Sequence, residues 1–301
     1  MSDKRDNFGN FMKDVYNLPC DANCGIHGPN FPVEGDTWSL QRFIEAQDRE
    51  DTFSHAIQEL KSGKKSTHWM WFVFPQLWGL PGKSETANRF ALRCIAEVED
   101  YVSHPILRER FEEACAALES SEIDDPKTIL GEDDALKLRS SLTLFAYIGR
   151  PFLTCDELLK RFYNGVGDDL TLRLLAADVR RTSASKAHDE PHGVGGGDER
   201  HIQLQSRKNG DVWLNLSCRL DNKGDFLIEG HDMGSDSEYE WWTVVRADHV
   251  PQLVALIGDE GDTDLLTIVR RDWLPVEGDR LERLIKLSSV PSEFSSYGSF
   301  P

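Results

Sequence analysis

The chain has no apolar run long enough to cross a membrane. Its longest, Trp69 to Leu80, is interrupted by Pro75, Gln76 and Gly79 and falls well short of the roughly 20 residues a bilayer requires. The opening MSDKRDNFGNFMKD contains no hydrophobic stretch of the secretory kind. Six cysteines scattered over 301 residues are too few for a disulfide framework. Cys94, Cys115 and Cys155 fall in helical patterns and read as small buried hydrophobes. A reducing, cytoplasmic setting with no membrane partner is the expectation. Positive charge is scarce as well: 52 acidic against 34 basic residues give a net charge of −18. Such a field repels phosphate backbones, so no nucleic-acid partner is expected. A Walker lysine loop, a G-x-G-x-x-G turn, a G-x-S-x-G elbow and an H-E-x-x-H helix are all missing. The common phosphate-binding folds and the familiar hydrolases therefore have no support, and no cofactor is implied.

What the chain does have is a dense aromatic segment. Gly63–Leu80, GKKSTHWMWFVFPQLWGL, sets Trp69, Trp71, Phe72, Phe74 and Trp78 behind two lysines and a histidine. Burying these rings stabilises by on the order of 10 kcal/mol before chain entropy is subtracted. The segment must anchor a core, a pocket, or both.

Periodicity divides the chain. Residues 1–36 are rich in Gly, Asn, Pro and Asp without apolar repeat, and read as a disordered leader. Cys20, Cys24 and His27 within it lack a second Cys/His pair, so no metal site is expected there. From 37 to 180 the pattern is helical. Phe43 and Ile44 mark one amphipathic stretch, and Phe53, Ile57 and Leu60 a second that Gly63 can end in left-handed geometry. Ser84 can cap a helix running through Phe90 and Cys94 to Tyr101, and Pro105 can start the next. Asp133 opens a further helix, Thr154 and Glu157 form a capping box, and Asp168 or Asp169 caps the last. Residues 181–200, RTSASKAHDEPHGVGGGDER, read as a flexible linker in which His188 and His192 stand solvated beside His201.

Beyond 201 the period drops to 2. Strands are expected at His201–Ser206, Asp211–Leu220, Phe226–Gly230 and Tyr239–Arg246, with a turn at Asp221–Gly224. Helices follow at His249–Ile257, Asp264–Asp272 and Asp279–Leu287. The fold class is therefore an N-terminal all-α multihelical domain and, over 201–301, a small α+β domain with an antiparallel sheet.

The first domain carries a long ordered string of motifs. Phe43-x-x-Ala46-Gln47 is followed by Gly63-x-Lys65-x-x-His68-Trp69-Met70-Trp71-Phe72-x-Phe74-Pro75-Gln76 and Tyr101-x-x-His104-Pro105-x-Leu107. Ile129-Leu130-Gly131, Asp134-x-x-Lys137-Leu138-Arg139-Ser140-Ser141-x-Thr143-Leu144-Phe145 and Asp168-x-x-Thr171-Leu172 complete it. Over about residues 38–178 this string resembles the DUF1810, or Rv1873-like, family. The resemblance implies an all-α fold and no established activity. After Pro75-Gln76 this chain has Trp78 and Pro81 where the family usually has a small apolar residue and a glycine-led turn, so the loop there is expected to differ.

Candidate functional residues lie within those motifs. His68 could act as a general acid or base, or its ring nitrogens could satisfy helix-end carbonyls. Gln76 could bond a ligand edge or a backbone group at the proline kink. Asp134, Lys137 and Ser141 share one helix face. They are an intrahelical ion pair and its neighbour, or else Lys137 and Arg139 project into a pocket walled by Trp69 or Trp71. Aromatic plates beside Lys65, Lys137 and Arg139 would suit a nucleotide-like or ADP-ribose-like ligand, with His68, Lys137 and Asp134 as catalytic candidates. Gly165–Asp169 could bind an anion at a helix N-terminus, but two aspartates favour simple capping.

In the second domain His231-Asp232 could be catalytic, bind a metal, or belong to a hairpin connection. Its GHDMG…EYEWW…V pattern is similar to small domains of actinobacterial immunity-type or regulatory proteins. Trp241 and Trp242 alternate across the sheet, so one of them beside the acidic stretch could dock a basic protein partner. That gives a non-enzymatic reading beside the ligand-binding one.

Overall fold

The computed structural model describes residues 38–80, 84–149, 153–189, 200–209, 212–233, 238–274, 276 and 279–299. The expected leader, with Cys20, Cys24 and His27, lies outside the described residues, as does His192. Two compact units divide within one helix, at Leu174/Leu175.

Among the described residues the first unit is helical. Its elements are α1 (Gln41–Asp48), α2 (Thr52–Lys61), α3 (Met70–Val73), α4 (Glu85–Arg89), α5 (Ile95–Ser103), α6 (Pro105–Glu119), α7 (Pro126–Leu130), α8 (Glu132–Ile148), α9 (Leu153–Tyr163) and the start of α10 (Asp169–Asp189). The aromatic residues knit these helices into one core. Successive ring contacts run from Trp69 to Phe74, Phe111, Phe145, Tyr101, Phe43, Phe90 and Phe72, at centroid spacings of 4.0–6.4 Å. Tilted and edge-on rings at such spacings attract through their quadrupoles as well as through area burial. Cys94, Cys115 and Cys155 are buried free thiols, as the pattern implied.

Several expected boundaries move. The helix expected from Ser84 to Tyr101 is two helices. Ser84 does cap α4, accepting from the Ala87 N–H, but residues 90–94 leave the helix. There Leu92 exchanges backbone hydrogen bonds with the Gln76–Trp78 segment, accepting from Trp78 at 2.7 Å and donating to Gln76 at 2.9 Å. That pairing satisfies the backbone of the chain that follows the Pro75 kink, and it outweighs helical propensity. α8 starts one residue earlier than expected, after Gly131 at φ +84°. Thr154 sits inside α9 rather than capping it. Asp168 caps α10, accepting from the backbone and hydroxyl of Thr171.

α10 runs on to Asp189, into the stretch expected as linker. Its later turns belong to the second unit, where Arg180 donates to the Ile257 carbonyl at 2.7 Å and the buried Ser183 to the Asp272 carbonyl at 2.6 Å. The rest of that unit is a sheet with helices. Strands β1 (His201–Asn209), β2 (Val212–Leu220), β3 (Phe226–Met233), β4 (Glu238–Val245) and β5 (Glu293–Ser299) form an antiparallel sheet in sequence order. Helices α11 (Val250–Ile257), α12 (Leu265–Ile268) and α13 (Arg280–Leu287) lie between β4 and β5 in the chain. α13 engages the face that carries Phe226, Ile228, Thr243 and Val245, because its buried Glu282 accepts from Trp241 at 3.1 Å and Thr243 at 2.6 Å. The strand β5 was not expected. EFSSYGS has no apolar alternation, and its described side chains are exposed at a sheet edge.

Gly63 ends α2 at φ +70°, and a Cβ there would lie 2.4 Å from the Ile123 side chain. Gly63→Ala should therefore lower unfolding free energy by about 1–3 kcal/mol through backbone strain and overpacking together. Denaturant titration checks this, and in an Ile123→Ala background the same Gly63→Ala change should cost only the backbone part.

A candidate cleft beside the tryptophan turn

α2 ends at Gly63, and the chain turns through Ser66, Thr67 and His68 before α3 begins. One carboxylate fixes that turn. Glu59 accepts from Ser66 N–H and Oγ at 2.8 and 2.7 Å, from Thr67 N–H and Oγ1 at 3.2 and 2.8 Å, and from Trp69 Nε1 at 2.8 Å. Burial pushes the Glu59 carboxyl up, but these donors outweigh it and bring it down to about 2.

The turn presents Trp71 between two groups. His68 lies roughly parallel to its ring at 6.4 Å, and Lys137 Nζ approaches that ring at 5.3 Å. Asp134 holds both lysines, accepting from Lys137 at 2.6 Å and from Lys65 at 2.7 Å. Burial raises the Asp134 carboxyl, yet the two ammonium groups hold it below the ordinary carboxylate range. The tryptophan segment and the Asp134–Lys137 face of α8 therefore meet, as cation–π and ion-pair neighbours.

Beside His68 opens a cleft of about 570 Å³, within the range typical of ligand sites. Arg49, His55, His68 and Arg89 stand around it, with Thr67 on the wall, Phe72 and Phe90 as apolar surface, and Glu45 and Glu50 also lining it. Among the described residues Arg49 and Arg89 have no ion-pair partner, and Arg89 lies 5.4 Å from the Phe90 ring. Arg42 ties the walls together. It donates to the carbonyls of Trp38, Ser39, Arg89 and Ala91 and to Glu97, the last at 2.6 Å. The buried Gln47 donates to the Phe72 carbonyl at 2.7 Å and accepts from Arg110 at 3.1 Å, joining α1 to α3.

Of the candidate site residues named from the sequence, His68 alone lines this cleft. Trp69 is fully buried with Lys65 Nζ at 5.1 Å from its ring, so it presents no face to a ligand. Ser141 is fully buried, its hydroxyl without a hydrogen-bond partner among the described residues. Arg139 is turned to the Val166 carbonyl at 3.0 Å and the Tyr163 ring. Gln76 is half-buried and its carbonyl accepts from Leu92. Lys65, Trp69, Lys137 and Arg139 are thus each engaged by neighbouring groups. Arg49, His55 and Arg89 escaped sequence reading because they belong to three short elements with no shared spacing.

In the second unit Trp241 and Trp242 occupy opposite sheet faces, both half-buried. The Trp241 ring covers Gly230, where a Cβ would come within 2.0 Å of it. His231 and Asp232 also face opposite ways, His231 pairing across the sheet with Glu240 and Asp232 with Tyr239.

The cleft brings two arginines and two histidines beside Glu45, Glu50 and two phenylalanines. Residues 37–175 match the model of DUF1810, described as a protein of unknown function. The chain belongs to the DUF1810 family. The conserved hypothetical protein Rv1873 from Mycobacterium tuberculosis is 38% identical over 47% of this chain and 99% of its own, with a TM-score of 0.45. No curated protein matches. The sheet unit lies outside the family match. Among the described residues no helix is long and apolar enough to cross a membrane.

The carboxyl of Glu59 titrates far lower folded than the ordinary 4.5. Its contribution to stability is thus complete above about pH 4.5 and disappears as pH falls toward 2. Unfolding free energy measured from pH 5 to 2 should show that loss, and Glu59→Gln should be less stable at pH 5 with a flatter profile below it.

Proposed function

We propose that the helical domain binds a small nucleotide-like ligand, a planar group bearing phosphate, in the cleft beside His68. The observation that carries this reading is the gathering of Arg49, Arg89, His55 and His68, with Glu45 and Glu50, around the largely buried rings of Phe72 and Phe90, whose edges reach the cleft. Guanidinium groups match phosphate oxygens in pairs, and aromatic faces accept a planar base. A ligand carrying only one of these features would leave half of the cleft unused.

Within this reading His68 is the group placed to exchange a proton with the ligand, since its imidazole borders the cleft. Lys137 and Asp134 serve as positioning residues. They brace the Trp71 ring against which His68 rests. ADP-ribose and AMP are the probes of choice, one with two phosphates and one with a single phosphate.

Thermal denaturation with each probe tests the proposal. At a concentration near 100 times its dissociation constant a ligand should add about 2.7 kcal/mol of stability. The gain should shrink in Arg89→Ala and His68→Ala and weaken with added salt. An unchanged melting temperature with both probes at millimolar concentration would overturn the reading, as would an undiminished gain in both variants.

A further inference from the structure

The outer face of the sheet, opposite the face α13 engages, carries a group of side chains that the cleft does not involve. We propose that His231, Glu238 and Glu240 form a binding site for a borderline divalent transition-metal ion of the Zn²⁺ class. Strand pairing builds the donor set. His231 on β3 stands directly across from Glu240 on β4, and Glu238 lies two residues along β4 on the same face. Its neighbours along that row are Asn215 on β2 and Tyr297 on β5.

The distances suit one ion. His231 Nε2 lies 2.8 Å from Glu238 Oε1 and 3.9 Å from Glu240 Oε1, and the three ligand atoms all fall within 4.8 Å of one another. Donors held about 2.1 Å from a tetrahedral ion lie roughly 3.4 Å apart. The glutamates reach that spacing by side-chain rotation of about an ångström, with the strands unmoved.

Charge and donor type select the ion. Two carboxylates share one small patch with no Lys or Arg partner among the described residues. A hydrogen bond from the imidazole serves only one of them at a time, whereas a divalent cation neutralises both. An imidazole nitrogen excludes a dedicated Ca²⁺ or Mg²⁺ site, whose ligands are oxygens, and the absence of a thiolate from the group disfavours Cu⁺. Three protein ligands leave a coordination position for water. His231 is 30% exposed, so an ion can enter from solvent. This site belongs to the second unit and is independent of the ligand proposed for the cleft.

The test uses the full chain, stripped with chelator and dialysed. Zn²⁺ is titrated against a chromophoric competitor, and Co²⁺ is followed by visible absorption. One equivalent should bind at micromolar concentration or tighter. His231→Ala and the near-isosteric Glu240→Gln should each weaken it by about tenfold or more, and both should change the Co²⁺ spectrum. His201→Ala, elsewhere on the sheet, should leave affinity unchanged, and far-UV circular dichroism verifies that the variants fold. Zn²⁺ bound with wild-type affinity by both His231→Ala and Glu240→Gln would place the ion elsewhere and overturn the proposal. Binding by the parent chain only at millimolar concentration would do the same.

Discussion

The carboxylate of Glu59 is the constraint on which the helical domain's working surface depends. A single side chain at the end of α2 satisfies two backbone N–H groups, two hydroxyls and an indole in the turn that follows. Without it the Ser66–Trp69 segment would have to leave those donors to water, and the indole of a fully buried tryptophan would lose its acceptor. Because Thr67 and His68 line the cleft, the bonds that seat Trp69 in the core also set one cleft wall. Fold and candidate site share the same anchor.

A second anchor acts from the opposite side. Arg42 gathers four carbonyls and Glu97, whose side chain is fully buried, and so fixes residues 38–42 against 89–97. A guanidinium can do this because its donors diverge in one plane, whereas a lysine ammonium could not reach as many acceptors. Its charge is neutralised by Glu97, which leaves Arg49 and Arg89 as the cations available at the cleft. There they stand with the carboxylates of Glu45 and Glu50, so the charge at the opening is mixed, and nearby groups matter more to it than distant ones screened by solvent.

The sequence made the architecture readable wherever periodicity was strong. The helical run, the change to period 2 after residue 201 and the caps at Ser84 and Asp168 all follow from local rules. It was misleading where tertiary pairing prevailed over propensity, as at residues 90–94, where a bridge to Leu77 interrupts the helix, and at β5, whose polar residues carry no strand signal. For the candidate site, the motif string located His68 and its neighbourhood but not the cleft walls. Most of the motif residues are there to build. Trp69, Arg139 and the Asp134–lysine cluster are engaged in internal contacts and Ser141 is buried, whereas Arg49, His55 and Arg89, which line the cleft, sit outside the motifs. In the second unit, adjacency in sequence suggested His231 with Asp232, whereas the pleat turns them apart and brings Glu240 to His231 from the next strand.

Glu59, ionised and held by five donors, organises the turn bearing His68. A pH titration by nuclear magnetic resonance tests this, following the Trp69 indole proton and the Ser66 and Thr67 amide protons together. All three should report one transition with a midpoint near 2, the value at which burial and the five donors leave the Glu59 carboxyl. A midpoint near 4.5, or three probes moving independently, would mean that the carboxylate is solvated and the turn is held by something else.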